Sequence, residues 1–448
     1  MTLSSVHSTF RSKSRVSDAS DQKSVVYYLT LIAISIALTA FVLGGRWSFI
    51  RLIDPLIALK SDLQRTVNFE VVVLEIRLIC LSVGVFFLMS LSQKISARVT
   101  YILMPVIALL IWFVASALWT VTEANYLSKL IDIAYLFAGL LYVAYAVNIP
   151  DFIKVFLYTM FVSLTILSFM GLQSYLTGGL SQISAEAIID TTRLSILGGG
   201  PNTFGRQMGV LLIICVSQIL TRKNAMQIAM FGGVGALALM LCLLSGSRGA
   251  LLATISGLAI LFLGVRISAR LLVYIVGGVA LGVVVSVLTG NTFFDSFFSS
   301  EFFQNRWVNE TYSAGYASGR DRLLETAFDL WMTSPVIGTG LNSFAELNAT
   351  GDLYAHNVIA ETAQETGLIG LSILFMVAVR FFRSSALWGS PTSALIVAIE
   401  FMWFTGSMTS GDLYDSRNIF VFALIAAAAA PSGDEFRSPA EIGFSRQA

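Results

Sequence analysis

The chain has 448 residues, of which 56% are apolar and only 12% charged, and its mean hydropathy is +0.78. An average soluble domain carries roughly 25% charged residues, so this composition excludes a soluble globular fold and indicates an integral membrane protein. The net charge of +1 leaves no excess of Lys and Arg to replace the counterions of a nucleic acid, which excludes a nucleic-acid partner.

The chain begins with a polar, Ser-rich and basic tail at residues 1–24. No small-residue cleavage site follows, which favours a retained first span over a cleaved signal peptide. Apolar runs lie near 25–43, 71–91, 101–119, 130–147, 152–171, 205–220, 226–244, 250–265, 271–288, 357–379, 392–409 and 418–430. Because a helix needs about 20 apolar residues to cross a membrane, we predict an all-α integral membrane protein with about 12 transmembrane helices.

The basic residues alternate across the short connections between these runs. One set of connections carries Lys94, Arg98, Lys154, Arg222, Lys223, Arg266, Arg270, Arg380 and Arg383, whereas the other carries only Lys129, Arg248 and Arg417. Since positive connections stay in the cytoplasm, we expect both termini to be cytoplasmic in a bacterial inner membrane. The basic segment 44–70 departs from this rule, and WSFIRLIDPLIALK within it fits an amphipathic interfacial helix.

Three connections fall on the predicted outer face: residues 172–204, the turn SGSRG at 245–249, and one large periplasmic loop at 289–355. In GRDRLLETAFDLWMTS of that loop, Leu323, Leu324, Ala327, Phe328 and Trp331 recur at helical spacing. We therefore predict an amphipathic helix that lies on the membrane surface or caps a cavity.

Two arginines on this face are candidate anion ligands. Arg248 lies in the turn SGSRG between two spans, and Arg206 begins another span after the glycine-rich stretch GGGPN. A guanidinium stays charged and presents a planar fork of donors that matches phosphate oxygens. The alternative for Arg248 is an interfacial anchor that reaches the lipid headgroups.

The stretch YAHNVIAETAQETGLIGL, residues 354–371, places polar residues at the start of an apolar run. A charged side chain at mid-membrane costs at least about 2.5–3.5 kcal/mol. We therefore expect Glu361 and Glu365 to face protein or a wet cavity, and we expect Glu365 to be a structural hydrogen-bonding centre. His356 suits accepting a proton from a sugar hydroxyl, or is an interfacial histidine. On one continuous helix the small residues and the histidine would share a stripe: His356, Ala360, Ala363, Gly367 and Gly370.

These residues resemble the signature of the bacterial O-antigen ligase and O-antigen polymerase superfamily, in which His-Asn is followed after nine residues by Gly-x-x-Gly. Here the signature residues are His356, Asn357, Gly367 and Gly370. SGSRGALLA is similar to the turn that opens the family's shared carboxyl-terminal membrane domain. SGRDRLLETAFDLWMTSPVIGTGLNSF resembles its outer-loop segment, which ends in Pro-x-x-Gly-x-Gly before the histidine. The likeness covers about residues 195–385 by motif.

The resemblance implies transfer of an oligosaccharide from undecaprenyl diphosphate to an acceptor hydroxyl on the periplasmic face, without a metal or other cofactor. It implies that His356 is the catalytic base, with Arg248, Arg206 and Arg320 on the diphosphate. Arg322, next to Arg320, could serve in its place. The expected supporting residues are Asn357, Glu365, Gly367 and Gly370. The motifs contain no Asp-x-Asp pair for a metal and no paired carboxylates for double displacement, so inversion is expected.

Several functions remain open. Polymerase and ligase differ in the acceptor: the polymerase extends another lipid-linked repeat, and the ligase transfers the glycan to the lipid A core. The outer-loop segment resembles polymerase loops slightly more closely than ligase loops, which favours the polymerase. A protein O-glycosylating transferase is a third option, although no added outer domain is visible. The rival class is a transporter or flippase. Charged residues inside predicted spans favour it, namely Glu75, Arg77, Asp132 and Glu400. The lack of a visible inverted repeat argues against it.

The expected organisation has five parts: a disordered cytoplasmic tail at 1–24, transmembrane helices at 25–194, an O-antigen ligase-like membrane domain at 195–385, the last two helices at 386–430, and a cytoplasmic tail at 431–448. Expected partners are the lipid-linked donor, a glycan or lipid A core acceptor and membrane lipids, with chain-length regulators or flippases as further candidates. TGDLYAHN (350–357) is echoed in SGDLYDSRN (410–418), which is too short to predict a repeat.

Overall fold

The structure is a computed structural model that describes residues 25–43, 84–85, 94–121, 124, 126–177, 194, 200–222, 224–265, 304, 319–348, 354–384 and 390–430. Every regular element in these ranges is a helix. In chain order they are α1 (Val25–Leu43), α2 (Ala97–Ser116), α3 (Tyr126–Ala146), α4 (Phe152–Leu176), α5 (Gly200–Thr221), α6 (Ala225–Leu244), α7 (Arg248–Gly264), α8 (Arg320–Thr333), α9 (Phe344–Leu347), α10 (Val358–Ser384), α11 (Pro391–Ser407) and α12 (Arg417–Ala429).

The predicted fold class, an all-α membrane protein, is confirmed. Each predicted span within the described ranges corresponds to a helix, with ends that differ by several residues. Seven of these helices are long and apolar enough to cross a membrane. The total of twelve spans stays a prediction, because several predicted segments lie wholly or mostly outside the described residues. These are the spans near 71–91 and 271–288, segment 44–70, both tails and the loop at 289–355.

Polar residues define where several helices begin. The side chains of Ser96, Asn224, Ser247 and Ser390 accept hydrogen bonds from the first turns of α2, α6, α7 and α11. Such caps satisfy backbone N–H groups that have no partner within the helix. Pro391 follows Ser390 at the first position of α11, where its missing N–H costs nothing. These four helices thus start directly after a residue whose side chain caps them.

The connections predicted to face outward come together at one end of the bundle, which we name the His356 end. There, Gln207 Nε2 donates to the Leu43 carbonyl at 2.5 Å, and Thr120 Oγ1 donates to the Leu341 carbonyl at 2.7 Å. At the opposite end, Arg98 Nη1 donates to the Ala430 carbonyl at 3.1 Å. Where these connections are described, they lie at the ends that the sequence analysis assigned to them, and which end faces the periplasm stays a prediction.

Helix α10 breaks at Gly367, whose φ of 68° and ψ of −164° are not helical. The turn at 335–340 lies in the break. Leu368 N donates to the Pro335 carbonyl at 2.9 Å, and Gly340 N donates to the Glu365 carbonyl at 3.1 Å. The break lies ~14 Å along the helix from Val358. Irregular backbone at membrane depth is tolerated when protein groups satisfy it, and this turn does so.

Helix α8 has two apolar sides, as its sequence pattern predicts. Leu323 and Ala327 are buried against Phe344 and Ala355. The other side exposes a stripe at spacing i, i+4 and i+8: Leu324, Phe328 and Met332. The predicted amphipathic helix is therefore present, with one side packed on the bundle and the other available to lipid.

Two of the basic residues that the sequence analysis placed in connections belong to helices and are buried in the bundle. Lys129 belongs to α3 and Arg417 begins α12, and both are buried. Arg417 Nε donates to the Phe41 carbonyl at 2.9 Å, which completes the end of α1. The connection assignment was wrong for both because local hydropathy falls at a lysine or arginine whether or not a distant partner accepts its charge.

Candidate active site

His356 lies two residues before α10 and adopts a left-handed backbone conformation with φ of 56°. The expectation that it shares a helical stripe with Gly367 and Gly370 is therefore wrong. Asn357 begins the helix instead, because its Oδ1 accepts hydrogen bonds from Ile359 N at 3.0 Å and Ala360 N at 3.1 Å. The imidazole packs edge-on against the Tyr354 ring, with centroids 4.5 Å apart. The histidine side chain is thus held at a bend, partly exposed.

The connection between α11 and α12, residues 408–416, joins the parts of the site. Asn357 Nδ2 donates to the Met408 carbonyl at 3.2 Å, and Arg206 Nη2 donates to the Ser410 carbonyl at 3.0 Å. Asn202 Nδ2 reaches Ser410 Oγ at 3.2 Å. Residues 410–416 of this segment belong to the short echo SGDLYDSRN (410–418), from which the sequence analysis drew no prediction. The segment links the helix that carries Arg206 to the bend that carries His356.

The turn before α7 is attached to the same connection. Ser247 Oγ donates to Asn202 Oδ1 at 2.8 Å, and a Cβ added at Gly249 would lie 2.4–2.9 Å from the side chain of Thr409, so only a glycine fits there. Arg248 is the first residue of α7 and is partly buried. The structure therefore brings the predicted Arg248 turn to the same end of the bundle as His356.

The three predicted arginines differ in their surroundings. Arg206 is only 5% exposed, and it is close enough to Arg320, Asp415 and Tyr354 for electrostatic interaction. Arg320 begins α8 and is partly exposed. Two guanidinium groups near each other favour an anion between them. Tyr354 is therefore in electrostatic range of Arg206 and also packs on His356, and the carboxylate of Asp415 offsets part of the positive charge of Arg206.

The supporting residues have structural roles. A Cβ on Gly367 would lie 2.5 Å from the Gly338 nitrogen, so Gly367 is needed for the contact between α10 and the turn at 335–340. Gly370 packs near Trp112 of α2, which agrees with the expected close approach of another helix. Trp112 Nε1 donates to the Thr366 carbonyl at 2.9 Å. These glycines shape α10 below the site and do not themselves reach a ligand at His356.

Glu361 and Glu365 face protein, as predicted. Both pair with Lys129, whose Nζ contacts Glu361 Oε1 and lies 2.6 Å from Glu365 Oε1. Asp412 is within electrostatic range of this pair of contacts. The sequence analysis missed Lys129. The available signal was the pair of glutamates four residues apart in an apolar helix, which requires a cation from elsewhere.

An apolar cavity of ≈ 530 Å³ lies between α10, α11 and α12. It extends from Val358 and Ile359, next to Asn357, to Phe381 and Phe382, which lie ~35 Å further along the helix. Its lining is hydrocarbon and aromatic apart from Ser372 and Glu400. Glu400 is 4% exposed, and its Oε2 has no hydrogen-bond partner among the described residues. The volume is in the usual range of small-molecule sites.

Comparison with known families decides between the classes of membrane protein. Residues 233–375 match the family model described as O-antigen ligase. Over this segment the chain is similar to the O-antigen ligase family. The O-antigen ligase segment includes the Arg248 turn, α8, the turn at 335–340 and the His356 bend, so the resemblance drawn from the motifs is confirmed. Among curated proteins, none matches the chain.

The match to this family model has consequences for function at a coarse level. It supports a glycosyl-transferring enzyme of O-antigen ligase or polymerase type, with a lipid-linked glycan donor and an acceptor. Together with the apolar helices it supports a multi-pass protein of the bacterial membrane that acts in polysaccharide biosynthesis. In the described part of the chain, His, Cys, Asp and Glu side chains form no group that could hold a metal ion.

Proposed function

We propose that the protein is a metal-independent, inverting glycosyltransferase that polymerises a surface polysaccharide or exopolysaccharide from undecaprenyl-diphosphate-linked repeats on the periplasmic face. The observation that carries the proposal is the position of His356. It lies just before a helix start, in the segment that matches the O-antigen ligase family model, and packs on the Tyr354 ring, which is itself in electrostatic range of Arg206.

His356 is the proposed general base. The acceptor hydroxyl oxygen attacks the anomeric carbon of the donor sugar, while the bond from that carbon to the phosphate oxygen breaks. The hydroxyl proton passes to an imidazole nitrogen of His356, and the electron pair of the broken bond leaves with undecaprenyl diphosphate. A positioned base of this kind contributes about 10²–10⁴-fold to the rate. One direct displacement inverts the anomeric centre.

The arginines bind the departing diphosphate in this proposal. Arg206 is fixed by its bond to Ser410, Arg248 is fixed in a glycine-flanked turn, and Arg320 begins a helix that packs on the bundle. Fixed positive groups stabilise charge that develops on a leaving group without reorganising during the reaction. They come from different elements, and the connection at 408–416 ties Arg206 to the same bend that carries His356, so the diphosphate ligands and the base are held in one framework.

The hydrocarbon chain of the donor has a suitable place beside the site. The apolar cavity starts at Val358, directly after the His356 bend, and runs along the membrane-spanning length of α10. A lipid whose diphosphate lies near the arginines can therefore place its chain in the cavity without leaving the hydrocarbon layer. The same arrangement would serve a lipid-linked donor of the ligase reaction.

A ligase that transfers the glycan to lipid A core is the second candidate, favoured by the description of the matching family. The polysaccharide of a deletion strain separates the two by gel electrophoresis. We expect single capped repeats, because the polymerase step is lost. Long chains that stay on undecaprenyl diphosphate would instead identify a ligase, and repeats held in the cytoplasmic leaflet would identify a flippase.

A further inference from the structure

Lys129 is the only basic residue in contact with the segment of α10 that follows His356, among the contacts the structure describes. That segment, residues 358–366, is separated from the rest of α10 by the break at Gly367. A continuous helix would fix its own first turn through its backbone. Because the backbone ladder is interrupted, the orientation of residues 358–366, and of the bend before them, depends on contacts from other elements.

Contacts from several elements hold this segment. At its far end Trp112 Nε1 donates to the Thr366 carbonyl at 2.9 Å, and Gly340 N donates to the Glu365 carbonyl at 3.1 Å. Lys129 of α3 pairs with both Glu361 and Glu365. Gln364 Nε2 donates to Ser343 Oγ at 2.9 Å, and Asn357 Nδ2 donates to the Met408 carbonyl at 3.2 Å. Only the lysine contacts are charged, and they lie in a buried place where electrostatic interactions are strong.

The lysine is held in a defined position. It is 5% exposed, both carboxylates are 1% exposed, and its Nζ lies 5.8 Å from the centre of the Phe113 ring of α2. One ammonium group thus faces two carboxylates, with Asp412 in electrostatic range. Glu361 and Glu365 are four residues apart, so a single cation between them ties two successive turns of the segment to α3.

We propose that Lys129 is a positioning residue for the transfer reaction. It orients the α10 segment at 358–366 and, through this segment, the imidazole of His356. This inference rests on the proposed role of His356. A displacement of about 1 Å in a reacting group can lower a rate by about 10²-fold. The proposed diphosphate ligands belong to α5, α7 and α8, whereas both ion pairs of Lys129 are with α10, so we expect its removal to act on the base and to leave donor affinity unchanged.

The test variant is Lys129→Met. It is compared with the triple variant Lys129→Met/Glu361→Gln/Glu365→Gln, in which all three charged groups are replaced by neutral ones. Lys154→Met, on the exposed surface of α4, is the matched control. Purified protein is used with an undecaprenyl-diphosphate oligosaccharide. We expect Lys129→Met to lower kcat by about 10²-fold with unchanged donor Kd, whereas Lys154→Met changes neither. The triple variant should regain thermal stability, because no unpaired charge is left buried, but should stay slow.

Hydrogen–deuterium exchange supplies a reading that does not depend on activity. In Lys129→Met we expect faster exchange in peptides covering 354–366 and unchanged exchange in 368–384. If Lys129→Met fails to fold, the same result is expected in the triple variant. Full kcat in the triple variant would overturn the proposal, since Lys129 would then only neutralise charge. A fall in donor affinity equal to the fall in kcat, or faster exchange throughout α10, would also overturn it. If His356 has no part in transfer, exchange still reports the orientation of the segment.

Discussion

Gly338 and Gly367 lie backbone to backbone in the apolar part of the bundle. A Cβ on Gly367 would lie 2.5 Å from Gly338 N, and both residues have positive φ, 77° at Gly338 and 68° at Gly367. The turn at 335–340 therefore enters the break in α10 only because neither residue has a side chain. The two glycine motifs of the family resemblance, one in the outer loop and one in the helix, are the two halves of this contact.

The first prediction concerns this contact. Gly367→Ala should strongly destabilise the protein, by more than the ~1–3 kcal/mol of a strained backbone alone, because the added methyl also meets backbone atoms that cannot move aside. Thermal unfolding in detergent would measure the loss. Gly232→Ala in α6 is the matched control, since no atom lies within 4 Å of its added Cβ, and it should be neutral or slightly stabilising. Equal melting temperatures for the two variants would show that the break in α10 does not require a glycine.

The sequence predicted the helices better than it predicted how they meet. Helix positions follow from local hydropathy, and the burial of Glu361 and Glu365 follows from the cost of charge in a membrane. Their partner Lys129 is 232 residues away from Glu361, and no local pattern carries that information. For the same reason Gly367 was expected to admit a neighbouring helix, whereas it admits a turn from the outer loop.

The second prediction separates the two roles of Arg248. Arg248→Lys keeps the charge and the reach to headgroups but loses the planar fork of donors. We expect weaker binding of the undecaprenyl-diphosphate donor with normal amounts of protein in the membrane. Arg222→Lys, at the opposite end of the bundle and bonded to Gln218, serves as the control and should bind normally. Normal donor affinity in Arg248→Lys would favour an interfacial anchor.

The third prediction tests the apolar cavity between α10, α11 and α12. Ala378→Trp should fill part of it and lower the affinity for the long-chain donor, whereas a donor with a much shorter hydrocarbon chain should bind as before. Val162→Trp on the exposed side of α4 adds the same bulk away from the cavity and should have no effect. If Ala378→Trp weakens both donors equally, or neither, the donor chain lies elsewhere.

The fourth prediction concerns Glu400, the buried carboxyl group of the cavity. Replacing a buried polar group that lacks a partner by a hydrocarbon side chain should raise stability, by about 1–3 kcal/mol. We therefore expect Glu400→Leu to melt at a higher temperature than the parent protein. Glu361→Leu, which leaves the Lys129 ammonium with one carboxylate fewer, should melt lower. A lower melting temperature for Glu400→Leu would show that the carboxyl group has a stabilising partner.

The fifth measurement tests the central claim, that His356 is the base and the arginines bind the diphosphate. Donor affinity and transfer rate are measured separately for purified His356→Ala with an undecaprenyl-diphosphate oligosaccharide. Loss of a positioned base should lower the rate by about 10²–10⁴-fold, and donor affinity should be unchanged because Arg206, Arg248 and Arg320 remain. Full transfer by His356→Ala would contradict the account outright, and a loss of donor affinity in place of rate would make the histidine a phosphate ligand instead of the base.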